Sequence, residues 1–239
     1  MIGVILAAGI SSRLRPLTDT TPKSLLPVGG KPLLQRSLEA ICDSDIRRCV
    51  IVTGYRREMI ERFVAKVRLP LDISFVYNEH YHTTNNNYSL WLAGEAVKEE
   101  MVMMDADILF DRRILTRLLA SEHANALVIR MTDHLGDEEI KVQLDNEGRV
   151  VRIGKDIPSP IASGESLGIE KFSAANAQQL FSILEKRKDR DEFYEASFQE
   201  LIEKGARLFA VDTAGYACME IDTAEDLVAA EQLSLSLTT

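Results

Sequence analysis

The first half of the chain alternates short apolar runs with segments that have the spacing of amphipathic helices. Such alternation predicts a Rossmann-like α/β fold, in which a mostly parallel twisted sheet is flanked by helices on both faces. Sheets of this kind bind ligands beyond the carboxyl ends of their strands. We therefore expect the loop at Gly9 and the turn at Asp105–Asp107 to lie at the same edge. The strands are predicted at 2–8, 47–55, 71–78 and 101–110, and the helices at 32–44, 57–67, 87–100 and 111–122.

The second half has shorter strand patterns and fewer alternations. The segment DNEG at 145–148 predicts a hairpin turn. Asp111 is expected at the start of the helix at 111–122, where a carboxylate suits the exposed N–H groups, and Thr223 is the expected cap of a closing helix. No linker rich in glycine, proline or serine separates the halves. We expect a single domain over 1–239, with a nucleotide-binding core at 1–122, an acceptor-binding part at 123–239 and a small antiparallel lid. The other predicted elements are strands at 124–131, 139–155, 164–172, 207–213 and 216–222, and helices at 173–188 and 194–205.

Composition narrows the class of protein. The chain has 239 residues with a formal net charge of -9, which argues against general nucleic-acid binding. No apolar run approaches the roughly 20 residues of a membrane helix, and no basic residue precedes the apolar N-terminus as a signal peptide would require. The three cysteines are scattered and odd in number, which favours a reducing compartment. We expect a cytoplasmic protein with no membrane insertion and no nucleic-acid partner.

The loop after the first strand concentrates positive charge in this acidic chain. Residues 1–31 contain four cations, Arg13, Arg15, Lys23 and Lys31, against one acid, Asp19. Arginine and lysine both suit phosphate groups, and a glycine allows a ligand to approach the backbone closely. The loop lacks the spacing of a P-loop or a dinucleotide-binding fingerprint. Gly9 alone is explained equally well by an ordinary strand-to-helix loop.

The opening segment LAAGISSRLRPLTDTTPKSLLPVGGKPLL resembles the signature of the nucleotidyltransferases that activate sugar phosphates and phosphoalcohols. That pattern is roughly L-A-A-G-x-x-x-R-L followed by P-K-x-L-x-x-x-x-x-x-P-L, and both parts match. The resemblance implies that Arg13 contacts the leaving phosphates and Lys23 the α-phosphate region, so that both are catalytic. It also implies that the backbone of the first loop binds the base and ribose, at Leu6, Ala7, Ala8 and Gly9.

Carboxylates in two distant segments are candidate metal ligands. In MMDADIL, Asp105 and Asp107 have the i, i+2 spacing that places both on one side of a strand. Paired carboxylates suit Mg²⁺ or a ribose hydroxyl, and a capped turn is an equally good explanation of this motif alone. The resemblance makes Asp107 a ligand of Mg²⁺ and leaves Asp105 to the nucleotide. In CMEIDTAEDL, Asp222 is the expected second ligand and Glu220 the alternative.

The middle segment NEHYHTTNNNYSLWLA distinguishes members of the resembled group. Sugar-phosphate enzymes usually have a glycine-rich segment there, whereas this segment is similar to that of phosphocholine and related phosphoalcohol or phosphonate cytidylyltransferases. Asn86 and Ser89 are candidates for binding cytosine, although the asparagines could simply cap a helix. Glu170 and Trp91 are candidates for the acceptor. Further aromatic side chains are available for a cage around an ammonium group: Tyr81, Phe172, Tyr194 and Tyr216.

These observations predict Mg²⁺-dependent transfer of a cytidylyl group from CTP to a small phosphorylated alcohol or phosphonate, with release of pyrophosphate. Two alternatives stay open. The acceptor could be a sugar 1-phosphate with UTP or GTP, or the chain could be a catalytically silent nucleotide-binding regulator. The sequence leaves the acceptor and the oligomeric state open, with a homodimer as one option.

Overall fold

The computed structural model of the protein describes residues 1–187 and 190–237. Lys188, the last residue of the helix predicted at 173–188, lies outside the described residues, as do residues 238 and 239 at the end of the predicted domain. Within the described ranges, no helix is both long and apolar enough to cross a membrane.

Thirteen strands are found in the described ranges. In chain order they are β1 (Ile2–Ala7), β2 (Pro27–Val28), β3 (Lys31–Pro32), β4 (Arg48–Thr53), β5 (Asp72–Tyr77), β6 (Met101–Asp105), β7 (Ile108–Phe110), β8 (Ala126–Met131), β9 (Lys141–Leu144), β10 (Val150–Gly154), β11 (Gly164–Phe172), β12 (Phe209–Asp212) and β13 (Cys218–Glu220).

Seven α-helices are found in the same ranges. They are α1 (Leu33–Asp43), α2 (Arg57–Val64), α3 (Asn86–Ala93), α4 (Arg112–Ala120), α5 (Ala174–Lys186), α6 (Glu195–Glu203) and α7 (Ala224–Ser234). Short 3₁₀ turns at Ser12–Leu14, Leu17–Asp19 and Lys23–Leu25 shape the opening loop, and a fourth lies at Ser159–Ile161.

The central sheet has nine strands and confirms the predicted fold class. Strands β6, β1, β4 and β5 pair in parallel and form one half of it. On the other side of β6, the antiparallel strands β11, β9 and β10 continue the same sheet, and β8 and β12 branch from β11. The antiparallel element predicted as a lid is therefore a direct extension of the central sheet. Two further pairs, β2–β3 and β7–β13, form small antiparallel sheets.

The core lies on both faces of the sheet, which explains the uninterrupted apolar run of β1. Along this strand Val4 and Leu6 pack against the face covered by α3, α5 and α6. Ile5 and Ala7 pack against the opposite face, which α1, α2 and α4 cover. Because successive side chains of a strand point to opposite faces, a strand buried on both sides needs apolar residues throughout.

Two predicted elements are shorter than expected. The helix predicted at 87–100 ends at Ala93, where the Gly94 N–H donates to the Trp91 carbonyl at 2.9 Å and a turn follows. The strand predicted at 101–110 is divided after Asp105. The Ala106 N–H donates to the Leu6 carbonyl at 3.0 Å, and the chain then leaves the central sheet to form β7.

The predicted helix caps and the predicted hairpin turn are confirmed. Thr223 forms a complete capping box with Asp226 at the start of α7. Asp111 caps α4 by accepting a hydrogen bond from the Arg113 N–H. The DNEG segment forms the turn between β9 and β10, with Gly148 at φ 76°. These caps fix where the helices that flank the site begin.

Candidate active site

A cleft of about 320 Å³ opens at the carboxyl ends of β1 and β6, where the sequence places the Gly9 loop and the aspartates. Its wall comes from five parts of the chain that are distant in sequence. It is lined by Leu6, Ala8, Gly9, Ser11, Arg13, Asn78, Tyr81, Thr84, Asn85, Asn86, Ser89, Asp105, Asp107, Phe193, Glu220 and Asp222.

The opening loop leaves room beside its backbone. A Cβ at Gly9 would meet only the Ser11 hydroxyl oxygen, at 4.0 Å, so packing within the chain does not require a glycine there. Ser11 has φ 55°, and three short 3₁₀ turns then wind the chain back toward the cleft. Leu14 in the first turn and Leu26 after the last are buried and hold the loop on the core. The space beside Gly9 is therefore available to a ligand.

Lys23 is buried between two aspartates from distant segments. Its Nζ lies 2.8 Å from Asp107 Oδ2 and 2.7 Å from Asp222 Oδ1. Arg13 completes the group, because its guanidinium donates to Asp222 Oδ2 at 2.7 Å. The structure thus joins two predicted cations and two predicted metal ligands in one cluster.

The charge of Lys23 is held in place by its neighbours. Burial alone would lower the pKa of this lysine, but the negative charges of Asp107 and Asp222 and their hydrogen bonds outweigh burial and raise the pKa above its ordinary value. Lys23 therefore stays an ammonium across the physiological pH range. It suits electrostatic stabilisation of phosphate oxygens and not proton transfer.

Three carboxylates at this edge have the geometry of a cation site. One oxygen from each of Asp107, Glu220 and Asp222 lies within 4.8 Å of the others. Asp107 Oδ1 is buried and has no hydrogen-bond partner among the described residues. Glu220 borders the cleft, yet removal of its carboxyl from bulk water and the charges of Asp107 and Asp222 raise its pKa to about 8. An unpaired buried oxygen within a crowd of carboxylates fits a divalent cation, which takes oxygen ligands and relieves the repulsion.

The backbone fixes these acids next to each other. Strand β7 follows Asp107 and pairs antiparallel with β13, which places Glu220 opposite Ile108. The Ile221 N–H donates to the Asp107 carbonyl at 3.1 Å. The spacing between Asp107 and Asp222 is therefore set by a hydrogen-bonded ladder and not by flexible loops.

A polar wall faces the opening loop across the cleft. The Asn78 side chain, at the end of β5, donates to the hydroxyls of Thr84 and Ser89 at 3.1 Å each. Asn86 begins α3, and its Oδ1 accepts a hydrogen bond from the Tyr194 N–H at 2.9 Å. Asn85 caps the helix. The capping interpretation is therefore confirmed for Asn85, whereas Asn86 lines the cleft and its binding of cytosine stays a prediction.

Asp105 and Asp107 both line the cleft, but only Asp105 belongs to a strand. Asp107 lies in the turn after β6, whereas Asp105 Oδ2 accepts a 2.7 Å hydrogen bond from the fully buried Tyr194 hydroxyl. Burial first, and then the charge of Asp107, raise the pKa of Asp105 well above its usual range.

A group of buried acids lies behind Asp105. Glu170 on β11 is fully buried, and burial together with the charges of Asp105 and Glu195 raises its pKa well above the usual range. Glu195 is 6% exposed, and burial raises its pKa to about 7. Burial therefore favours the uncharged form of Glu170, and Glu195 titrates near neutral pH.

A smaller cavity of about 100 Å³ extends from the cleft along this group, and its lining is strongly acidic. Six of its residues are carboxylic acids, and none of the described residues that line it is a cation. The six acids are Asp105, Glu138, Glu139, Glu165, Glu195 and Glu220. Two of them are paired at their outer edges, Glu165 with Arg130 and Glu138 with Lys155. Such a cavity attracts a small cation.

The structure brings most predicted site residues to the cleft but not all. Ala7 and Lys23 lie directly behind its lining. Glu170 is buried in the sheet next to Met103 of β6 and stays a predicted acceptor contact. Trp91 is on the far side of α3, in a stack with Tyr88 and Arg190. Its role in acceptor binding stays a prediction that no residue of the cleft supports.

Sequence reasoning missed three residues of the site. Asn78 follows the carboxyl end of β5, so the rule that singled out Gly9 and Asp105 could have found it. Phe193 lies in the loop before α6 and Glu195 begins that helix, where neither periodicity nor the resemblance gives a signal for a site. Only the folded chain places them beside Asp105.

The comparisons with known proteins agree with this geometry. The family model described as "MobA-like NTP transferase domain" matches residues 3–190. The chain belongs to this family. It is 26% identical over 240 residues to the choline-phosphate cytidylyltransferase of Streptococcus pneumoniae, covering 98% of each chain. It is 27% identical over 236 residues to the 2-aminoethylphosphonate cytidylyltransferase of Lancefieldella rimae, covering 97% of this chain and 86% of the relative.

The fold agrees as well. A solved structure of the CTP:phosphocholine cytidylyltransferase from Streptococcus pneumoniae superposes with a TM-score of 0.79 at 23% identity, covering 98% of this chain and 99% of the other. The resemblance inferred from the opening segment is confirmed, and the protein is an enzyme of the nucleotidyltransferase class. Cytidylyltransferase activity on phosphorylated alcohols or phosphonates is supported by these relatives, and the acidic group at the cleft could bind a metal ion.

Proposed function

We propose that the protein transfers the cytidylyl group of CTP to a small phosphorylated alcohol or phosphonate with a cationic head, with Mg²⁺ as cofactor. The observation that supports this best is the buried Lys23, whose ammonium lies within 2.8 Å of Asp107 and Asp222 at the base of the cleft. A fixed positive charge beside a carboxylate cluster is what two anionic reactants need in order to approach each other.

In the proposed reaction, an acceptor oxygen attacks the α-phosphorus of CTP in line. A new P–O bond forms, the bond between the α- and β-phosphates breaks, and pyrophosphate leaves with that electron pair. The acceptor is already an anion, so no strong general base is required. Lys23 and Arg13 would orient and neutralise the phosphate oxygens. Mg²⁺ held by Asp107 and Asp222, with Glu220 beside them, would supply Lewis-acid charge stabilisation.

The choice of CTP depends on the polar wall of the cleft. Asn78, Asn86 and Ser89 present amide and hydroxyl groups, which can match the donors and acceptors on the edge of cytosine. Asn86 and Ser89 are already oriented by Tyr194 and Asn78. Preorganised polar groups of this kind discriminate between bases, because a mismatched base leaves them unpaired.

The choice of acceptor depends on the acidic cavity. Its six carboxylic acids and its lack of cations among the described lining residues favour a positively charged head over a neutral sugar. A phosphocholine or aminoalkylphosphonate acceptor would place its anion near Lys23 and its cation in this cavity. A sugar 1-phosphate would gain nothing from the same acids.

A pyrophosphate-release assay tests the proposal. Purified protein is incubated with CTP, UTP, GTP or ATP, with and without Mg²⁺. The acceptor panel contains phosphocholine, 2-aminoethylphosphonate, glycerol 3-phosphate and glucose 1-phosphate. We expect release only with CTP, Mg²⁺ and an acceptor that has a cationic head. Release with UTP or GTP and glucose 1-phosphate would replace the proposal by a sugar-phosphate activity, and no release with any pair would favour a nucleotide-binding regulator.

A further inference from the structure

An exposed aromatic ring stands where the cleft meets a second groove. Phe193 is 42% exposed and lines both the cleft and a groove of about 650 Å³ between β10 and α6. A phenylalanine at such a junction is not required by the core, because Tyr194 beside it is the residue that packs inward. The open face of the ring is therefore available to a ligand that enters from the cleft.

A cation of the chain itself lies on that face. Lys155, next to the end of β10, places its Nζ 4.9 Å from the centroid of the Phe193 ring. The same ammonium is 3.0 Å from a carboxylate oxygen of Glu138, and the Lys155 side chain is 36% exposed. A cation within about 6 Å of an aromatic centroid is attracted by the ring. The face is thus shown to accept an ammonium group.

The groove also contains an acid without a partner. Glu195 is 6% exposed and lines both the groove and the acidic cavity. Its Oε2 has no hydrogen-bond partner among the described residues. The charge of Lys155 lowers the pKa of Glu195, although burial raises it more. A ring face, a buried acid and an ammonium group therefore occur together. The ring of Phe193 and the acid Glu195 lie on either side of Tyr194 in the sequence.

We propose that the Phe193 face binds the cationic head of the acceptor, and that Lys155 occupies this face as a placeholder until the acceptor displaces it. This inference rests on the proposed function and deepens it, because it names the residues that select the acceptor. Two ammonium groups do not share one ring face, since like charges repel at that distance. Binding of the acceptor's cation therefore requires that Lys155 swing into the solvent with its flexible stem.

The Phe193 face makes the enzyme selective. An acceptor with a cationic head recovers the ring and carboxylate contacts that Lys155 gives up, whereas a neutral acceptor of the same shape recovers few of them. Because the cost of displacing Lys155 is common to both acceptors, Phe193 is the specificity-determining residue. Lys155 lowers the affinity for an acceptor that must displace it, and it does not touch the reacting phosphates.

The test compares phosphocholine with 3,3-dimethylbutyl phosphate, its neutral carbon isostere, in steady-state kinetics at saturating CTP. Lys155→Ala should lower the KM for phosphocholine about two- to fivefold, the scale of one exposed cation–π contact. Phe193→Leu should raise the KM for phosphocholine by a similar factor and leave that for the neutral isostere unchanged. In the variant that combines Lys155→Ala with Phe193→Leu, Lys155→Ala should no longer lower the KM for phosphocholine, because the ring face of Phe193 is absent.

Arg152→Ala is the matched control. Arg152 lies on the same hairpin, is paired with Asp156 and does not contact Phe193, so its removal changes the net charge by the same amount. Equal effects of Arg152→Ala and Lys155→Ala on the KM would mean that both act only by changing the net charge of this region. That result would overturn the proposal. A higher KM for both acceptors in Lys155→Ala would assign Lys155 to the acceptor's phosphate instead, which also overturns it.

Different results would reject the proposed function and the placeholder role of Lys155. If wild-type protein releases no pyrophosphate with CTP and any acceptor, the proposed function fails. If wild-type protein is active and the Lys155 and Phe193 variants behave as the wild type with both acceptors, only the placeholder is rejected. The variants are accompanied by thermal melts, and both substituted side chains are partly exposed, so loss of folding is not expected.

Discussion

Two groups of carboxylic acids lie on either side of the turn after β6, and they avoid the cost of desolvation differently. At the base of the cleft, Asp107 and Asp222 are paired with Lys23 and Arg13. Behind Asp105, neither Glu170 nor Glu195 forms an ion pair with a described residue, and burial raises their pKa values. Cations therefore compensate the first group, whereas the raised pKa values of the second favour its uncharged form.

The difference matches what each group would do. A charged cluster at the cleft can bind a metal and phosphate oxygens. A neutral group that gains charge only when a cation arrives is suited to an acceptor head. The buried group also costs stability at high pH, where its members ionise without partners. The predictions below test whether the two groups are as independent as this contrast implies.

The largest effect is expected at the paired group. Lys23→Ala should lower turnover by about 10²-fold or more, the usual scale for losing a preorganised charge contact, because Asp107 and Asp222 would then repel the phosphates. The measurement is the pyrophosphate-release rate at saturating substrates. Lys31→Ala removes a partly exposed lysine paired with Glu39 in the same loop region and should leave turnover unchanged. Wild-type turnover in Lys23→Ala would remove this lysine from the reaction.

Asp107→Asn tests the cation site within the same group. Neutralising a candidate ligand should raise the Mg²⁺ concentration for half-maximal activity by about tenfold or more. Even the loss of a residue that only hydrogen-bonds a metal ligand usually lowers metal affinity by about that factor. A magnesium titration of the release rate gives the midpoint. Asp156→Asn, on the exposed hairpin, is the control. An unchanged midpoint in Asp107→Asn would mean that the ligand is another residue.

Tyr194→Phe tests the link between the two groups. The ring is fully buried against Phe198 at 5.0 Å, so phenylalanine keeps the packing and removes only the donor to Asp105. We expect the free energy of unfolding to fall by about 1–2 kcal/mol, as for a buried polar atom that loses its partner. Urea denaturation measures it, with Tyr77→Phe at an exposed site as the control. No loss would show that Asp105 finds another donor.

Glu170→Gln is expected to have the smallest effect, and its sign depends on pH. The folded state raises the pKa of Glu170 above the unfolded value of 4.5, so the protonated form stabilises the fold below that pH and this contribution is lost as pH rises. Glutamine resembles the protonated acid and does not ionise. The variant should therefore match the wild type near pH 4 and become relatively more stable at pH 8.

Denaturant melts across this pH range would show the trend for Glu170→Gln, and Glu147→Gln in the exposed hairpin turn should show none. A variant that becomes less stable than the wild type at high pH would mean that Glu170 is ionised in the folded protein. That result would erase the contrast between the paired and the buried acids.

The parts of the site that were predictable from sequence are those fixed by strand ends. Gly9 and Asp107 follow buried parallel strands, and such strands end at one edge of the sheet. Their convergence with Lys23 and Asp222 was implied by the resemblance of the opening segment, and the structure brings these residues together. The caps at Asp111 and Thr223 were predictable because capping depends on a few consecutive residues.

The parts that were not predictable depend on direction and on long-range packing. Helical spacing shows that Trp91 lies on one face of α3, but not that this face meets Arg190 instead of the cleft. The i, i+2 spacing of Asp105 and Asp107 does not show that the strand ends between them, where the Ala106 N–H bonds to Leu6. Phe193 and Glu195 reach the site only because Tyr194 is anchored between Asn86 and Asp105.

The small β7–β13 sheet has a consequence for how such an enzyme could diverge. It holds Glu220 against Ile108 and lies outside the central sheet, while the hairpin with Lys155 belongs to a different layer. The candidate metal ligands at Asp107 and Glu220 are therefore positioned by strands that do not belong to this hairpin. Mutations in the hairpin could therefore change which acceptor the protein prefers and leave the positions of these acids unchanged. New acceptor preferences could then arise without a change in the chemical step.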